Sequence, residues 1–170
     1  TFTPKISGKY IRTNDFGFNS SLSLMEMVQK AHLNKKNGKK NIVILGGSTT
    51  FGYGVAENRK TITGNLNFDL ESKGITVFNL AQGGYNSFME LFIFSTIGIY
   101  FEPDIIIVMD GLADTYHLAY KSKQKQLPLG LWSGAEREQN IEFILNFYYK
   151  NLEAICKLGN IPERKVILAL

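Results

Sequence analysis

The sequence NIVILGGSTTFG, residues 41–52, joins a short apolar run to a loop rich in glycine and hydroxyl side chains. The apolar part, Asn41–Leu45, has the length of a β-strand and lacks the polar alternation of a strand with one face in water. We therefore predict a buried strand of a parallel sheet. Three further runs have the same character and lead to the same prediction, namely Thr76–Leu80, Asp104–Met109 and Lys165–Leu170.

Helical patterns precede and separate these strands. We predict helices from about Ser21 to His32 and from about Thr61 to Lys73, the second followed by Gly74 as a left-handed cap. The pairs Ser87/Glu90 and Ser133/Glu136 have the spacing of a capping box at a helix start. The last helix stops at Gly159, with Pro162 just beyond, and presents one apolar face. That face comprises Ile141, Ile144, Leu145, Tyr148, Leu152, Ile155 and Cys156.

Alternating strands and helices predict a three-layer α/β/α sandwich around a parallel sheet. No linker or repeat divides the chain, so we expect one domain over residues 1–170, with a lead-in segment and helix over 1–40 and an α/β core over 41–170. Right-handed crossovers gather the loops that follow successive strands at one edge of the sheet. Functional residues are expected at that edge.

Composition excludes several classes of protein. The chain has 170 residues, of which 44% are hydrophobic and 20% charged, as in a globular domain. Five lysines between Lys30 and Lys40 account for the basic balance, because the net charge of +4 becomes −1 without them. No aromatic residue interleaves these lysines, so a nucleic-acid surface is not predicted. The longest apolar stretch is interrupted at residues 102–104, so no membrane span is expected, and the single Cys156 cannot form an internal disulfide.

Three loops at the predicted edge, residues 46–54, 82–87 and 110–114, combine glycine with hydroxyl or carboxylate side chains. Such loops suit an anion or an oxyanion. A phosphate-binding P-loop requires a lysine that the first loop lacks before Lys60, and a dinucleotide fingerprint requires a third glycine after Gly54. Nucleophilic acyl transfer remains, with an exposed serine beside backbone N–H donors.

The three loops also resemble the sequence blocks of a known family. Residues 43–52 resemble the first block of the SGNH (GDSL) hydrolases, with Gly47 where many members carry aspartate. Residues 79–85 and 108–114 resemble the second and third blocks. Residues 11–18 are similar to the segment that often precedes the nucleophile strand in bacterial members. The resemblance implies a flavodoxin-like SGNH fold. It also implies that Ser48 is the nucleophile and that the N–H groups of Ser48 and Gly84 hold the oxyanion.

Two departures from the family concern the catalytic machinery. Ala113 stands where the third block has an asparagine that donates to the oxyanion, and losing one such donor typically costs about 10²–10³ in rate. The family's Asp-x-x-His block, which supplies the base, is expected beyond Leu170, so that the fold would be incomplete at the C-terminus. His117, in Asp114-Thr-Tyr-His117, is a second candidate for the base, ahead of His32.

The resemblance implies a serine ester hydrolase that acts on a small acyl ester, with an O-acetyl group on a carbohydrate as the first candidate, through an acyl-serine intermediate and without a metal or other cofactor. Two alternatives stay open. One is a catalytically impaired SGNH-like domain that binds a glycan or acts as a scaffold, and the other is an O-acyltransferase. Candidate substrate contacts are Asp110, Gly111, Ala113 and Asp114.

Simpler roles remain open for the same residues. Ser48 could act only as a helix cap, and Asp110 and Asp114 could cap a loop or bind a metal. The aromatic residues near the loops could line a substrate site or lie singly on the surface; they are Tyr85, Tyr116, Tyr120 and Trp132. No leader is visible, so the bacterial cytoplasm and the cell envelope both remain open as compartments. The oligomeric state is also open.

Overall fold

The computed structural model describes residues 13–109, 113–114, 139–162 and 164–169. Its core is a parallel sheet of four strands in the order β2-β1-β3-β4. The strands are β1 (Lys40–Gly46), β2 (Ile75–Asn79), β3 (Ile105–Met109) and β4 (Lys165–Ala169). The four predicted strands are therefore confirmed, with bounds that differ by one residue at most ends.

Five helices accompany the strands in the described residues. They are α1 (Leu24–Lys36), α2 (Ser48–Phe51), α3 (Ile62–Leu70), α4 (Ser87–Thr96) and α5 (Gln139–Gly159). Short 3₁₀ turns cover Asn58–Lys60, Glu71–Lys73 and Gly98–Phe101. The second predicted helix is confirmed as α3 plus the turn that follows it, and Gly74 adopts the left-handed conformation (φ +68°) expected of its cap.

Helices cover the sheet on both faces, which confirms the three-layer prediction. On one face, α1, α4 and α5 bury the larger core, to which Ala31, Phe94 and Ile155 contribute from the helices. Val43, Leu45 and Ile106 meet them from the sheet. On the other face, Leu66 and Leu70 of α3 pack against the neighbouring residues of the same strands, whose side chains point the opposite way.

The capping pattern differs from the sequence prediction at two helices. At α4 the cap is Asn86, whose Oδ1 accepts from the Met89 N–H at 3.1 Å, while Ser87 is the first helical residue. The predicted Ser87/Glu90 box was therefore wrong, because the Ser87 hydroxyl bonds to a distant side chain instead. A complete capping box occurs at α1, between Ser23 and Glu26, so this helix starts later than predicted. The helix also continues past the predicted end at His32.

The fourth strand departs from the prediction of buried strands. All residues of β1 after Lys40 are buried, whereas Ile167 and Leu168 of β4 are 46% and 41% exposed. Within the described sheet β1 lies between two strands, and β4 has β3 as its one neighbour. Apolar composition therefore indicates a strand at both positions but does not distinguish a central strand from an edge strand.

The last helix ends where the sequence predicts and buries most of the predicted apolar face that the structure describes. It ends at Gly159, where a Cβ would lie 2.6 Å from Val166 Cγ2 and 2.7 Å from Ile106 Cδ1, so glycine permits its close approach to the sheet. Tyr148, Leu152 and Ile155 are buried, whereas Leu145, on the same predicted apolar face, is 41% exposed. Its predicted start at Ser133 and Glu136 lies outside the described residues.

Candidate active site

Ser48 is exposed at the first position of α2, directly after the carboxyl end of β1. Gly46, at the end of the strand, allows the close approach of neighbouring chain, because a Cβ there would lie 2.7 Å from the carbonyl oxygen of Met109. Gly47 has no such restriction, since a Cβ would lie in ordinary contact, 3.7 Å from the carbonyl oxygen of Tyr85. The hydroxyl of Ser48 is therefore presented at the sheet edge, where the sequence predicts the chemistry.

The second loop lies against the first. Gln82 donates its backbone N–H to the Gly46 carbonyl at 3.1 Å, and the Tyr85 N–H donates to the Gln82 carbonyl at 3.2 Å. This closes a tight turn in which Gly84 has φ +83°, a left-handed conformation that favours glycine. Within the described residues, the backbone N–H groups of Ser48 and Gly84 have no hydrogen-bond acceptor. Both are thus available to a ligand.

Helix α2 has four residues and is too short to be stable by itself. Two asparagine side chains hold its last carbonyls. Asn79 donates to the Thr50 carbonyl at 2.8 Å, and Asn19 donates to the Phe51 carbonyl at 2.6 Å. The short helix that carries Ser48 is therefore supported by both the end of β2 and the segment before α1.

The segment before α1 forms a tight turn against the two loops. Asn14 Oδ1 accepts hydrogen bonds from the N–H groups of Phe16 and Phe18, both at 3.0 Å. The Gln82 side chain donates to the Gly17 carbonyl at 2.8 Å. Residues 11–18 were singled out for their family resemblance alone. Their described part supports the Gly84 loop through Gly17.

The third loop is described at two of its predicted residues. Ala113 is half-buried and Asp114 is buried, and both are helical. Asp114 accepts from the Ser87 backbone N–H at 3.0 Å and from the Ser87 hydroxyl at 2.8 Å. Its carboxylate is therefore occupied by protein donors, while its contact with substrate stays a prediction. Asp110 and Gly111 lie outside the described residues.

Of the candidate bases and the aromatic residues, the structure describes His32 and Tyr85. His32 lies at the opposite edge of the sheet, where its Nε2 is 2.9 Å from the Tyr100 carbonyl oxygen and 3.4 Å from Glu102 Oε1. His117, Tyr116, Tyr120 and Trp132 lie outside the described residues. Tyr85 is buried in the larger core, and burial raises the pKa of its phenol above the ordinary value. Tyr85 therefore packs as a core residue.

The described residues contain no group of three metal-binding side chains, and no helix among them is long and apolar enough to cross a bilayer.

Sequence analysis missed the supporting roles of Asn19, Asn79, Gln82 and Ser87. Polar residues next to a glycine loop were the available signal, but their partners lie up to 65 positions away along the chain.

No protein-family model and no curated protein sequence matches the chain. Among solved structures, it is similar to a gut microbial diltiazem-metabolizing enzyme, with a TM-score of 0.52 and 17% identity over 76% of this chain and 26% of that one. It is also similar to a provisionally named GDSL-like lipase from Parabacteroides merdae, with a TM-score of 0.50 and 16% identity over 76% of this chain and 59% of that one.

The chain thus spans less than two thirds of the length of either protein, and at these identities the likeness concerns the fold. The parallel sheet, the covering helices and the positions of the loops at 46–54 and 82–87 agree with the sequence blocks named above. The chain has the flavodoxin-like α/β fold of the SGNH (GDSL) hydrolases.

Proposed function

We propose that this chain carries the nucleophile of a serine ester hydrolase. The observation that carries the proposal is the exposed Ser48 at the start of α2, beside the Gly84 turn, with both backbone N–H groups available. Such donors stabilise the negative oxygen of a tetrahedral intermediate. The Ser48 hydroxyl would attack the ester carbonyl and lose its proton to a base, and the alcohol would leave to give an acyl-serine that water hydrolyses.

The base is the part of this mechanism that the described residues do not supply. We propose that a histidine of the family's Asp-x-x-His block takes the proton, with His117 as the alternative. A serine without a base is a weak nucleophile, so the full-length protein is the material for every activity measurement. We propose a small acyl ester as substrate, and an O-acetyl group on a carbohydrate first, by analogy with bacterial proteins that share the upstream segment.

The test compares two neighbouring hydroxyls. Ser48→Ala should abolish labelling by a serine-reactive fluorophosphonate and lower acetyl-ester hydrolysis by at least about 10³-fold. Thr49→Ala, one residue on and also exposed, should leave both nearly unchanged. The substrate class is tested by comparing acetate release from an O-acetylated polysaccharide with the hydrolysis of longer acyl esters. Hydrolysis that survives Ser48→Ala at the wild-type rate would refute the proposed nucleophile.

Ala113 favours a second candidate function, a binding or scaffold domain with impaired catalysis. The half-buried Ala113 has no side-chain donor to contribute to an oxyanion. Ala113→Asn restores the amide that the family uses. An esterase should then gain rate, by up to about 10²-fold for one added donor. A domain that only binds should show no hydrolysis with either residue and should retain its glycan ligand in calorimetry.

A further inference from the structure

Three buried polar side chains form a cluster behind the Gly84 turn. Asp114 accepts two hydrogen bonds from Ser87, one from the backbone N–H at 3.0 Å and one from the hydroxyl at 2.8 Å. Asn151 donates its side-chain N–H to the same hydroxyl oxygen at 3.0 Å. Ser87 is fully buried, and Asp114 and Asn151 are each 6% exposed. The Ser87 hydroxyl thus both donates and accepts inside the protein.

The cluster joins three elements that are distant in sequence. Ser87 begins α4, Asp114 is a helical residue that follows β3, and Asn151 lies in the second half of α5. Phe88 and Phe147 extend the same contact between α4 and α5, with their ring centroids 5.9 Å apart. The position of α4 relative to the third loop therefore depends on Ser87.

The charge of Asp114 suits this position. Its carboxylate faces the first turn of α4, where unpaired N–H groups and the helix dipole favour a negative charge. A buried carboxylate is stable only when it accepts hydrogen bonds, and one residue, Ser87, supplies two of them. Removing either partner leaves polar atoms buried without a hydrogen bond, which is the costly case.

Only two residues separate Ser87 from Gly84. We propose that Asp114, Ser87 and Asn151 are positioning residues that fix the turn carrying the Gly84 N–H relative to Ser48 and Ala113. In this role the cluster acts through the backbone rather than through contact with the substrate. Its effect on catalysis rests on the proposed function, but its effect on the turn does not, so the two can be tested separately.

Hydrogen–deuterium exchange of the full-length protein tests the positioning directly. Ser87→Ala, Asp114→Asn and Asn151→Ala should each accelerate exchange of the hydrogen-bonded amides of Tyr85, Ser87 and Met89 about tenfold, the factor expected for the loss of about one hydrogen bond. Asp114→Ala should have a larger effect than Asp114→Asn, which keeps one acceptor. The matched control is Asn34→Ala, a buried asparagine that bonds to Asn41 and Thr76 at the other edge of the sheet.

Asn34→Ala should lower stability by a similar amount while leaving exchange of the amides of Tyr85, Ser87 and Met89 as in the wild type. If the cluster variants change these amides no more than Asn34→Ala does, the positioning role is refuted. If Ser87→Ala fails to fold, Asp114→Asn and Asn151→Ala are milder and decide the question. This readout needs no activity, so it also stands if Ser48 proves not to be a nucleophile.

Kinetics then tests the consequence for catalysis. With acetyl-ester hydrolysis by the wild type established, Asp114→Asn and Asn151→Ala should lower kcat about 10- to 100-fold, since a displaced oxyanion donor acts in the transition state. KM should change little, because the ground-state ester does not depend on that donor. A rise in KM at unchanged kcat would contradict positioning and indicate direct contact of Asp114 with the substrate.

Discussion

Single residues at the carboxyl edge of the sheet are chosen for backbone conformation as much as for chemistry. Gly84 has φ +83° in the turn beside Ser48, and no described atom outside its two chain neighbours lies within 4 Å of the place where a Cβ would be. Gly38, in the loop after α1, has φ +69° and equally open surroundings. The two glycines thus share a conformation and differ in their distance from the candidate active site.

This pair provides a controlled substitution. Gly84→Ala and Gly38→Ala should each lower the free energy of unfolding by about 1–2 kcal/mol, because a Cβ is strained in the left-handed region. Only Gly84→Ala should also lower kcat of ester hydrolysis, since the proposed oxyanion donor moves with the strained turn. Urea unfolding and steady-state kinetics measure the two effects. Equal activity of the two variants would argue against a role for the Gly84 N–H.

At the scale of elements, side-chain amides complete secondary structure that the backbone leaves unfinished. Strand β2 has β1 as its one neighbour in the described sheet. On its other side, Asn67 of α3 donates to the Val77 carbonyl at 2.9 Å and accepts from the Val77 N–H at 2.8 Å. A single side chain thus pairs with the strand as another strand would. A strand edge without such a partner promotes association between molecules.

Asn67→Ala should therefore have two consequences. The free energy of unfolding should fall by about 1–3 kcal/mol, because a buried N–H and carbonyl lose their partners. The variant should also associate reversibly as its concentration rises, which analytical ultracentrifugation measures. Asn65→Ala is the control, since this side chain lies in the same helix and bonds to Thr61 within it. Identical sedimentation of both variants would exclude protection of the edge by Asn67.

At the scale of the molecule, the two edges of the sheet are built differently. The carboxyl edge carries the glycine turns and Ser48, whereas the amino edge is joined by a polar network. Asp104 accepts from the Asn41 backbone N–H at 2.8 Å and from Lys35 Nζ at 2.7 Å. Asn41 is fully buried and donates to the carbonyls of Ala31 and Phe101. This edge connects α1, β1 and the segment before β3.

Substitutions at the amino edge should affect stability and spare the chemistry. Asp104→Ala should lower the free energy of unfolding by about 1–3 kcal/mol, because the Asn41 N–H loses its acceptor. Lys35→Met, which removes only a partly exposed ion pair, should cost about 0–1 kcal/mol. The rate of ester hydrolysis per folded molecule, counted by fluorophosphonate labelling, should match the wild type in both. A selective loss of kcat would show coupling between the edges.

Local patterns were sufficient for much of the fold. All four strands, the helix that ends near Gly74 and the helix end at Gly159 follow from residues within a few positions of one another. The capping of α4 did not follow, because Asn86 and Ser87 are both plausible caps and the choice depends on Asp114, 27 positions away. The predicted burial of β4 was wrong for a similar reason, since burial depends on which elements lie beside the strand.

The same division applies to the candidate site and to the protein as a whole. The sequence alone determined the sheet, the loops at its edge and the serine to examine, because these depend on residue type, spacing and the periodicity of apolar residues. The tertiary structure decided that Asp114 faces Ser87, that Asn19 and Asn79 hold the helix of Ser48, and that Asn67 pairs with β2. Hydrogen bonds between residues far apart in sequence form only when folding brings them together, so no local pattern encodes them.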